Sequence, residues 1–200
     1  MTQTRQAGIL LHITSLPEGQ LGQEAYRFVD ILAEMGVGVW QTLPVNMPHG
    51  DQSPYQSVSA HAGHPGMISV SLLASQGWCT PQALALPLPA LISQVMLQVE
   101  KADHPYAGGL NWPGFLDFCQ KNGYWLNDFA LFLALREQYQ AQRWDQWPVP
   151  LRQREAAALA EFSALHARQL QLIQFTQYVF FEQWAALKRY ANQKGVLLFG

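Results

Sequence analysis

The sequence predicts an α/β fold: three parallel strands, with a long and mostly helical stretch between the second and the third. Near the amino terminus, two short apolar runs flank an amphipathic segment within about forty residues, which is the pattern of a βαβ unit with parallel strands. A third apolar run occupies residues 196–199. The roughly 150 residues between the second and third runs have mainly helical periodicity.

The predicted βαβ unit comes first along the chain. Residues 7–11 form an apolar run typical of a buried strand, and residues 14–19 carry the Pro and Gly of a turn. Residues 23–35 place apolar side chains on one helical face, and Gly36 follows where a left-handed cap would end the helix. Residues 37–43 then predict a second strand.

The next part of the chain predicts a long loop followed by short helices. Residues 45–66 are rich in Pro, Gly, Ser and His, a loop composition. A short helix is expected near residues 69–76, and a segment punctuated by Pro covers residues 81–89. Residues 91–101 have the pattern of a further helix.

From Pro113 onward the sequence is strongly helical. Asn127 and Asp128 are expected near the start of one helix, and residues 142–150, with two Trp and two Pro, predict a connector.

Residues 152–194 contain no Gly or Pro, so they favour continuous helix. A single helix of that length would extend about 60 Å at 1.5 Å per residue, so a break is expected near residues 162–166. Gly195 is placed to cap this helix, and residues 196–199 predict a third buried strand.

Composition excludes several functional classes. The 200 residues are 49% apolar and 13% charged, with a formal net charge of −2, so neither nucleic acid nor an anionic membrane surface is an expected partner. No apolar run approaches the ~20 residues that span a bilayer. The amino terminus lacks the pattern of a signal peptide, and Cys79 and Cys119 have no metal-site spacing. A cytoplasmic location with reduced thiols is expected.

Several motifs go beyond pattern and carry a family resemblance. They are residues 5–17, Gly22–Phe28, Trp40–Pro44, Ser53–Pro65, Trp125–Phe132, Trp147–Pro148, Leu151–Arg154 and Phe180–Gly195. In order and spacing they resemble the amylomaltases, or 4-α-glucanotransferases, of the α-amylase clan. Two positions depart from that family, which usually has Asn where this chain has His64, and often Asp or Gly where it has Gln52.

The resemblance implies the first three strands of a (β/α)8 TIM-type barrel with a large helical insertion between strands 2 and 3. Residues 1–48 would begin the barrel, residues 49–150 would hold the active-site loop and inserted subdomain, and residues 151–200 would lead into strand 3. Three strands cannot close a barrel, which needs eight. The remainder of the barrel is therefore expected outside these 200 residues.

The implied activity is the transfer of α-1,4-glucan segments between maltodextrins by a retaining double displacement. Maltooligosaccharides and related α-1,4-glucans would be the substrates, and neither a metal nor an organic cofactor is required. In the family, the Ser-Pro-Tyr motif lies on the donor side of the active site. Tyr55 would then contact a glucose ring and Ser53 a hydroxyl group or the loop itself, with Asp51 and Gln56 completing the predicted substrate-binding set. The structural alternative is that Tyr55 packs beneath the loop.

The reaction needs two carboxyl groups about 5 to 5.5 Å apart, and the fourteen acidic residues offer no such pair. Eight are predicted on helices: Glu24, Asp30, Glu34, Asp128, Glu137, Glu155, Glu161 and Glu182. Five fall in predicted loops or element ends, with no apparent partner: Glu18, Glu100, Asp103, Asp117 and Asp145. Only Asp51 follows the end of a predicted strand. The resemblance implies that the catalytic carboxylates lie beyond Gly200, so the isolated chain is expected to be inactive.

Other readings have weaker support. His49, His61 and His64 lack the spacing of a metal site, and no serine lies in a G-x-S-x-G motif. The aromatic segment 175–184 has the spacing of a core helix. Trp144 and Trp147 would form either a surface glucan-binding patch or a packed linker. An alternative function is therefore a non-catalytic helical module that binds carbohydrate or another protein.

Overall fold

A computed structural model describes residues 7–102 and 109–200, so Asp103 of the sequence analysis lies outside it. Its strands are β1 (Gly8–Leu10), β2 (Val39–Gln41) and β3 (Leu197–Phe199). They form one parallel sheet in the order β1-β2-β3. The predicted parallel βαβ unit and the third parallel strand are thus confirmed.

Helices account for most of the remaining described chain. They are α1 (Gln23–Glu34), α2 (Val70–Ser75), α3 (Leu88–Lys101), α4 (Trp112–Gln138), α5 (Val149–Arg152), α6 (Ala156–Leu165) and α7 (Ala167–Gln193). All of α2 to α7 falls between β2 and β3 in sequence. In the two described ranges, no helix combines the length and apolar character that crossing a membrane requires.

The first helix forms where the sequence predicts it. Ala25, Val29 and Leu32 are its buried residues, spaced so that they share one face. Gly36 has a φ of 70°, in the left-handed region that glycine adopts without steric cost. Local signals alone therefore fix both the face and the end of α1.

The start of α4 differs from the sequence prediction. The helix begins after Asn111, whose side-chain Oδ1 accepts a 2.7 Å hydrogen bond from the Gly114 N–H. Asn127 and Asp128, expected near a helix start, lie in the second half of this 27-residue helix. Asparagine and aspartate favour helix starts, but here the buried face of a continuous helix outweighs that preference.

The long carboxyl-terminal helical region is interrupted as expected. Helices α6 and α7 meet at His166, inside the predicted break. The region begins at Ala156 rather than at residue 152, because Arg154 has a φ of 57° and separates α5 from α6. Gly195, with a φ of 79°, ends the region before β3 as predicted.

The main hydrophobic core surrounds α7. Phe175, Tyr178, Val179 and Phe180 are each at most 2% exposed, so the aromatic segment of α7 is core, as its spacing predicts. A second cluster joins α4 to α6 and contains Trp147 and Phe162. A third lies beneath the loop after β2 and contains Ala62 and Trp125.

The two faces of the sheet have different surroundings. Ile9, Trp40 and Leu198 share one face and pack against the main core. On the other face Leu10, Leu197 and Phe199 are 57%, 51% and 63% exposed. The prediction that β1 and β3 are buried strands is therefore wrong for one of the two faces, because no described residue covers it.

Candidate functional site

The candidate site begins where β1 and β2 end. In a parallel sheet the carboxyl ends of neighbouring strands share one edge, and ligands bind outside that edge in many α/β proteins. His12 follows β1 and Thr42 follows β2, and 3.2 Å separates His12 Nδ1 from Thr42 Oγ1. The indole N–H of Trp40 donates to the Leu11 carbonyl over 2.8 Å, which ties the two strand ends together.

The loop after β2 doubles back on itself. Met47 N–H donates to the Ala62 carbonyl and Val58 N–H to the Met47 carbonyl, over 3.1 and 2.9 Å. Further out, His49 N–H donates to the Gln56 carbonyl over 3.0 Å. Residues 50–55 are therefore the tip of a hairpin-like loop that rises from the carboxyl edge of the sheet.

All four predicted substrate-binding residues lie at or beside this tip, and hydrogen bonds link three of them. Asp51 Oδ1 accepts a 3.2 Å hydrogen bond from the Ser53 N–H, and the Ser53 carbonyl accepts one of 3.1 Å from the Gln56 N–H. Asp51 and Gln56 are exposed, and Ser53 is half-buried.

Tyr55, the fourth, is 75% exposed. The alternative in which Tyr55 packs beneath the loop is therefore not what the structure adopts. A tyrosine held outward on a hydrogen-bonded tip has its ring faces accessible to a flat ligand.

A cavity of about 360 Å³ lies between the edge of the sheet and this loop. Its lining residues are His12, Thr14, Ser15, Leu43, Pro44, Asn46, Pro48, Gln52, Pro54, His64 and Met67. None of the four predicted binding residues lines it, although Gln52 and Pro54 alternate with them along the loop. The structure thus places the predicted residues at the rim of a cavity with different side chains in its walls.

Sequence reasoning missed His12, Thr42 and Asn46 as site residues. The available signal was position: His12 directly follows the first predicted strand, Thr42 falls near the end of the second, and Asn46 lies three residues beyond it. His64 was noted only as a departure from a motif and as a histidine without metal-site spacing. Its approach to His12, 52 positions away, depends on tertiary structure.

The two histidines in the cavity wall are both half-buried. Burial lowers the pKa of His64, and burial together with the neighbouring His64 lowers the pKa of His12. Both imidazoles are therefore neutral at physiological pH.

Helix α7 anchors the segment that carries His64. The Gln177 side chain accepts from the Gly63 N–H over 2.8 Å and donates to the Gly63 carbonyl over 3.0 Å. Six residues along both segments, Gln183 makes the same pair of bonds to Ser69, at 2.8 and 3.0 Å. The side-chain amide of each glutamine satisfies a backbone N–H and a backbone carbonyl, as a neighbouring strand would. Residues 63–69 are therefore held in one position.

Acidic residues are not among the side chains described around the cavity. Six carboxylates are instead in ion pairs: Glu24 with Arg27, Asp30 with Lys194, Glu100 with Arg168, Asp117 with Lys121, Asp128 with Arg154, and Asp145 with Arg143. Glu100 lies at the end of α3, as predicted, whereas Asp117 lies within α4 rather than in a loop or at an element end. The described residues of the cavity wall therefore offer hydrogen bonds and apolar contact, but no carboxyl group to act as nucleophile or acid.

The remaining candidate residues do not form a second chemical site. Within residues 7–102 and 109–200, no group of three or more His, Cys, Asp or Glu is arranged to hold a metal ion. His61 stacks on Trp125, with ring centroids 5.8 Å apart. Cys79 and Cys119 are free thiols, and burial raises the pKa of Cys119 to about 11.

Trp144 and Trp147 have different environments. Trp147 is 6% exposed and packs in the second cluster, as a packed linker would. Trp144 is 59% exposed beside a cavity of about 230 Å³. Trp147 lines the same cavity, so the two tryptophans adjoin it together, but only Trp144 is open to solvent.

Comparison with known proteins gives one consistent result. A family model described as 4-alpha-glucanotransferase matches residues 11–200. The 4-alpha-glucanotransferase of Thermus thermophilus is 36% identical over all of this chain and 42% of its own length. That of Aquifex aeolicus is 35% identical over 98% of this chain and 42% of its own length.

Solved structures agree with the sequence comparison. The amylomaltase from Streptococcus agalactiae in complex with acarbose superimposes with a TM-score of 0.87 at 30% identity, covering 98% of this chain and 42% of that one. An amylomaltase from Corynebacterium glutamicum, at 19% identity and a TM-score of 0.60, shares the fold. The chain spans about 42% of the length of the first curated relatives it matches.

Proposed function

This chain belongs to the 4-alpha-glucanotransferase family, and we propose that it forms the amino-terminal portion of an enzyme that transfers α-1,4-glucan segments between maltodextrins. The observation that carries the proposal is the match to the acarbose-bound amylomaltase over nearly the whole chain. The position of the cavity, at the carboxyl edge of a parallel sheet, agrees with it.

We further propose that the three strands are the first three of a (β/α)8 barrel, with the helices between β2 and β3 as an insertion. The exposed sheet face supports this, because Leu10, Leu197 and Phe199 would point into a barrel interior filled by the other strands. The outer edges of β1 and β3 would pair with those strands. Residues 1–48, 49–150 and 151–200 would correspond to the barrel start, the loop with inserted subdomain, and the approach to strand 3.

In this proposal the chain supplies substrate contacts, while the reacting carboxylates come from the rest of the enzyme. Tyr55 would stack on a glucose ring, and the Ser53 hydroxyl would bond a sugar hydroxyl. Asp51 would hold the loop tip through its bond to the Ser53 N–H and, with Gln56, offer polar groups to the sugar. A nucleophilic carboxylate and a carboxylic acid, both outside these 200 residues, would carry out the double displacement.

The reaction as proposed requires no metal or organic cofactor, because carboxyl groups supply both the nucleophile and the proton. We also propose a cytoplasmic location, which fits the two free cysteines.

The test compares two proteins in a disproportionation assay with maltotriose as the sole substrate. One is the 200-residue chain. The other, the extended chain, continues past Gly200 to the length of the relatives. We expect the extended chain to release glucose and a ladder of longer maltodextrins, and the 200-residue chain to release neither. Robust turnover by the short chain, or none by the extended chain, would contradict the proposal.

One observation favours a second candidate, a non-catalytic carbohydrate-binding module. Trp144 is exposed beside a cavity lined by Asp128 and Arg154, on a helical region with its own hydrophobic cluster. This candidate predicts that maltoheptaose raises the melting temperature of the 200-residue chain, and that Trp144→Ala abolishes the rise. Calorimetry with and without maltoheptaose separates the two functions.

A further inference from the structure

The cavity at the sheet edge contains two ionisable side chains among the described residues that line it, His12 and His64. Neither side chain has a role in the proposed function. Each imidazole has one ring nitrogen in a hydrogen bond, and the partner determines which nitrogen carries the proton of the neutral ring.

The partner of His64 assigns its tautomer directly. Nδ1 accepts a 3.3 Å hydrogen bond from the backbone N–H of Gly66, at the start of a short helical turn. A backbone N–H can only donate, so Nδ1 carries no proton. The proton of neutral His64 is therefore on Nε2, which is a hydrogen-bond donor.

The partner of His12 assigns the opposite tautomer. Its Nδ1 lies 3.2 Å from Thr42 Oγ1, and the Thr42 hydroxyl donates to the Leu43 carbonyl, also over 3.2 Å. While its single proton is donated to the Leu43 carbonyl, the Thr42 hydroxyl can only accept from His12. Nδ1 of His12 is therefore protonated, and Nε2 has a free lone pair that accepts a hydrogen bond.

The backbone that carries each ring is held before any ligand arrives. The backbone N–H of His64 donates to the Val45 carbonyl over 2.9 Å. The preceding Gly63 is fixed through both its N–H and its carbonyl, which bond to the Gln177 side chain. His12 follows Leu11, whose carbonyl accepts from Trp40. Among the described residues, no partner is bonded to Nε2 of either ring.

We propose that His12 and His64 bind the hydroxyl groups of one sugar residue, with Nε2 of His12 as acceptor and Nε2–H of His64 as donor. The inference rests on the proposed function and adds two binding residues to it. A hydroxyl group both donates and accepts, so it satisfies either nitrogen. A carboxylate or a phosphodiester has no proton to donate to His12, and an ammonium group cannot accept from His64. The cavity, at about 360 Å³, lies at the small end of the range for ligand sites, roughly 300–1,000 Å³.

The first test measures the tautomers in the extended chain. Long-range proton–nitrogen correlation spectra at neutral pH, with each signal assigned by substitution, report which ring nitrogen is protonated. We expect the Nδ1–H form for His12 and the Nε2–H form for His64, and movement of both Nε2 signals when maltoheptaose is added. The same tautomer at both positions, or Nε2 signals that do not respond to saturating maltoheptaose, would overturn the inference.

The second test measures KM and kcat for maltotriose in substituted extended chains. His64→Leu and His12→Phe each remove one hydrogen bond to the sugar, so we expect KM to rise about 5- to 10-fold in each. His64→Asn keeps an acceptor for the Gly66 N–H and an N–H donor, and we expect its KM to stay within about 2-fold of the unsubstituted value. His64→Ser keeps an acceptor for the Gly66 N–H but is too short to donate into the cavity, so a raised KM in His64→Ser distinguishes a lost sugar contact from a lost helix cap.

His166→Asn is the matched control. This histidine is also half-buried, but it stacks on Phe162 at 4.1 Å and bonds to Gln169, outside the cavity. The KM of His166→Asn for maltotriose should equal that of the unsubstituted extended chain. If the unsubstituted enzyme disproportionates maltotriose while His64→Leu and His12→Phe keep its KM, the inference is wrong and the proposed function stands. If the unsubstituted enzyme neither binds nor converts maltodextrins, both are wrong.

Discussion

At the residue scale, Gly63 is where the loop after β2 comes closest to α7. A Cβ atom on Gly63 would lie 2.0 Å from Cδ1 of Phe180, whose ring is 1% exposed. The backbone amide of Gly63 is at the same time bonded to Gln177. Glycine is needed here for close approach of the backbone, since the ring and the amide leave no room for a side chain.

Replacing this glycine tests the close approach. We expect Gly63→Ala to lower the free energy of unfolding by at least the ~1–3 kcal/mol typical of an overpacked core, because neither the Phe180 ring nor the clamped backbone can move freely. Urea denaturation measures the change. Gly50→Ala, in the same loop, is the control, because no atom lies within 4 Å of its added Cβ. Equal stability of the two variants would contradict this account of the packing.

Tyr55 provides a second prediction at this scale. If its exposed ring stacks on glucose, Tyr55→Ala in the extended chain should raise KM for maltotriose about 3- to 10-fold with little change in the melting temperature. Tyr124, on α4, is also 75% exposed, so Tyr124→Ala is a control matched for exposure. A KM for Tyr55→Ala equal to that of the control would remove Tyr55 from the binding site.

At the element scale, α7 organises the described chain, because it packs against the core and holds the segment beside the cavity. Its carboxyl-terminal end is also fixed to α1. Asp30 Oδ1 accepts a 2.6 Å hydrogen bond from the Tyr190 hydroxyl and lies 2.8 Å from Lys194 Nζ. The hydrogen bonds from Lys194 and Tyr190 lower the pKa of Asp30 below its usual value.

The lowered pKa of Asp30 predicts how stability depends on pH. A carboxylate whose pKa is depressed in the folded state stabilises the fold above its unfolded pKa of about 3.9, and that contribution is lost as pH falls through the folded value. Asp30→Asn should therefore lower the melting temperature at pH 7, and the difference from the unsubstituted chain should shrink below about pH 4. Asp117→Asn breaks an exposed pair within α4, so we expect little change at either pH. A difference for Asp30→Asn that persists unchanged at pH 3 would rule out this linkage.

How far the elements follow from sequence depends on how local their determinants are. Helix α1 and the caps at Gly36 and Gly195 are set by neighbouring residues and were predicted from them, whereas the break at His166 was predicted from the length of the helical region. The start of α4 was misplaced because Asn127 and Asp128 look like a helix start, while the cap that forms is Asn111. The hydrogen bonds of Gln177 to Gly63 and of Gln183 to Ser69 join residues 114 positions apart, so no local sequence pattern predicts them.

At the scale of the whole molecule, the site too combines features that the local sequence predicts with features that depend on tertiary contacts. The motif residues at the loop tip could be found from family resemblance, and the structure puts them at the rim of a cavity. The histidines of the cavity wall could not be paired from sequence, because their proximity depends on how β1 and the loop after β2 fold together. The exposure of Leu10, Leu197 and Phe199 was missed because an apolar strand looks the same whether or not its second face is covered.

The central claim is that this chain supplies the sugar-binding edge of an active site whose two carboxylates lie on other parts of the enzyme. The most direct measurement is a crystal structure of the extended chain with bound maltoheptaose. We predict a glucose residue against Tyr55 with hydroxyl groups bonded to His12 and His64, and two carboxylates from beyond Gly200 on either side of a glycosidic bond. A sugar flanked by two acidic residues from within positions 1–200, or bound away from this edge of the sheet, would contradict the account.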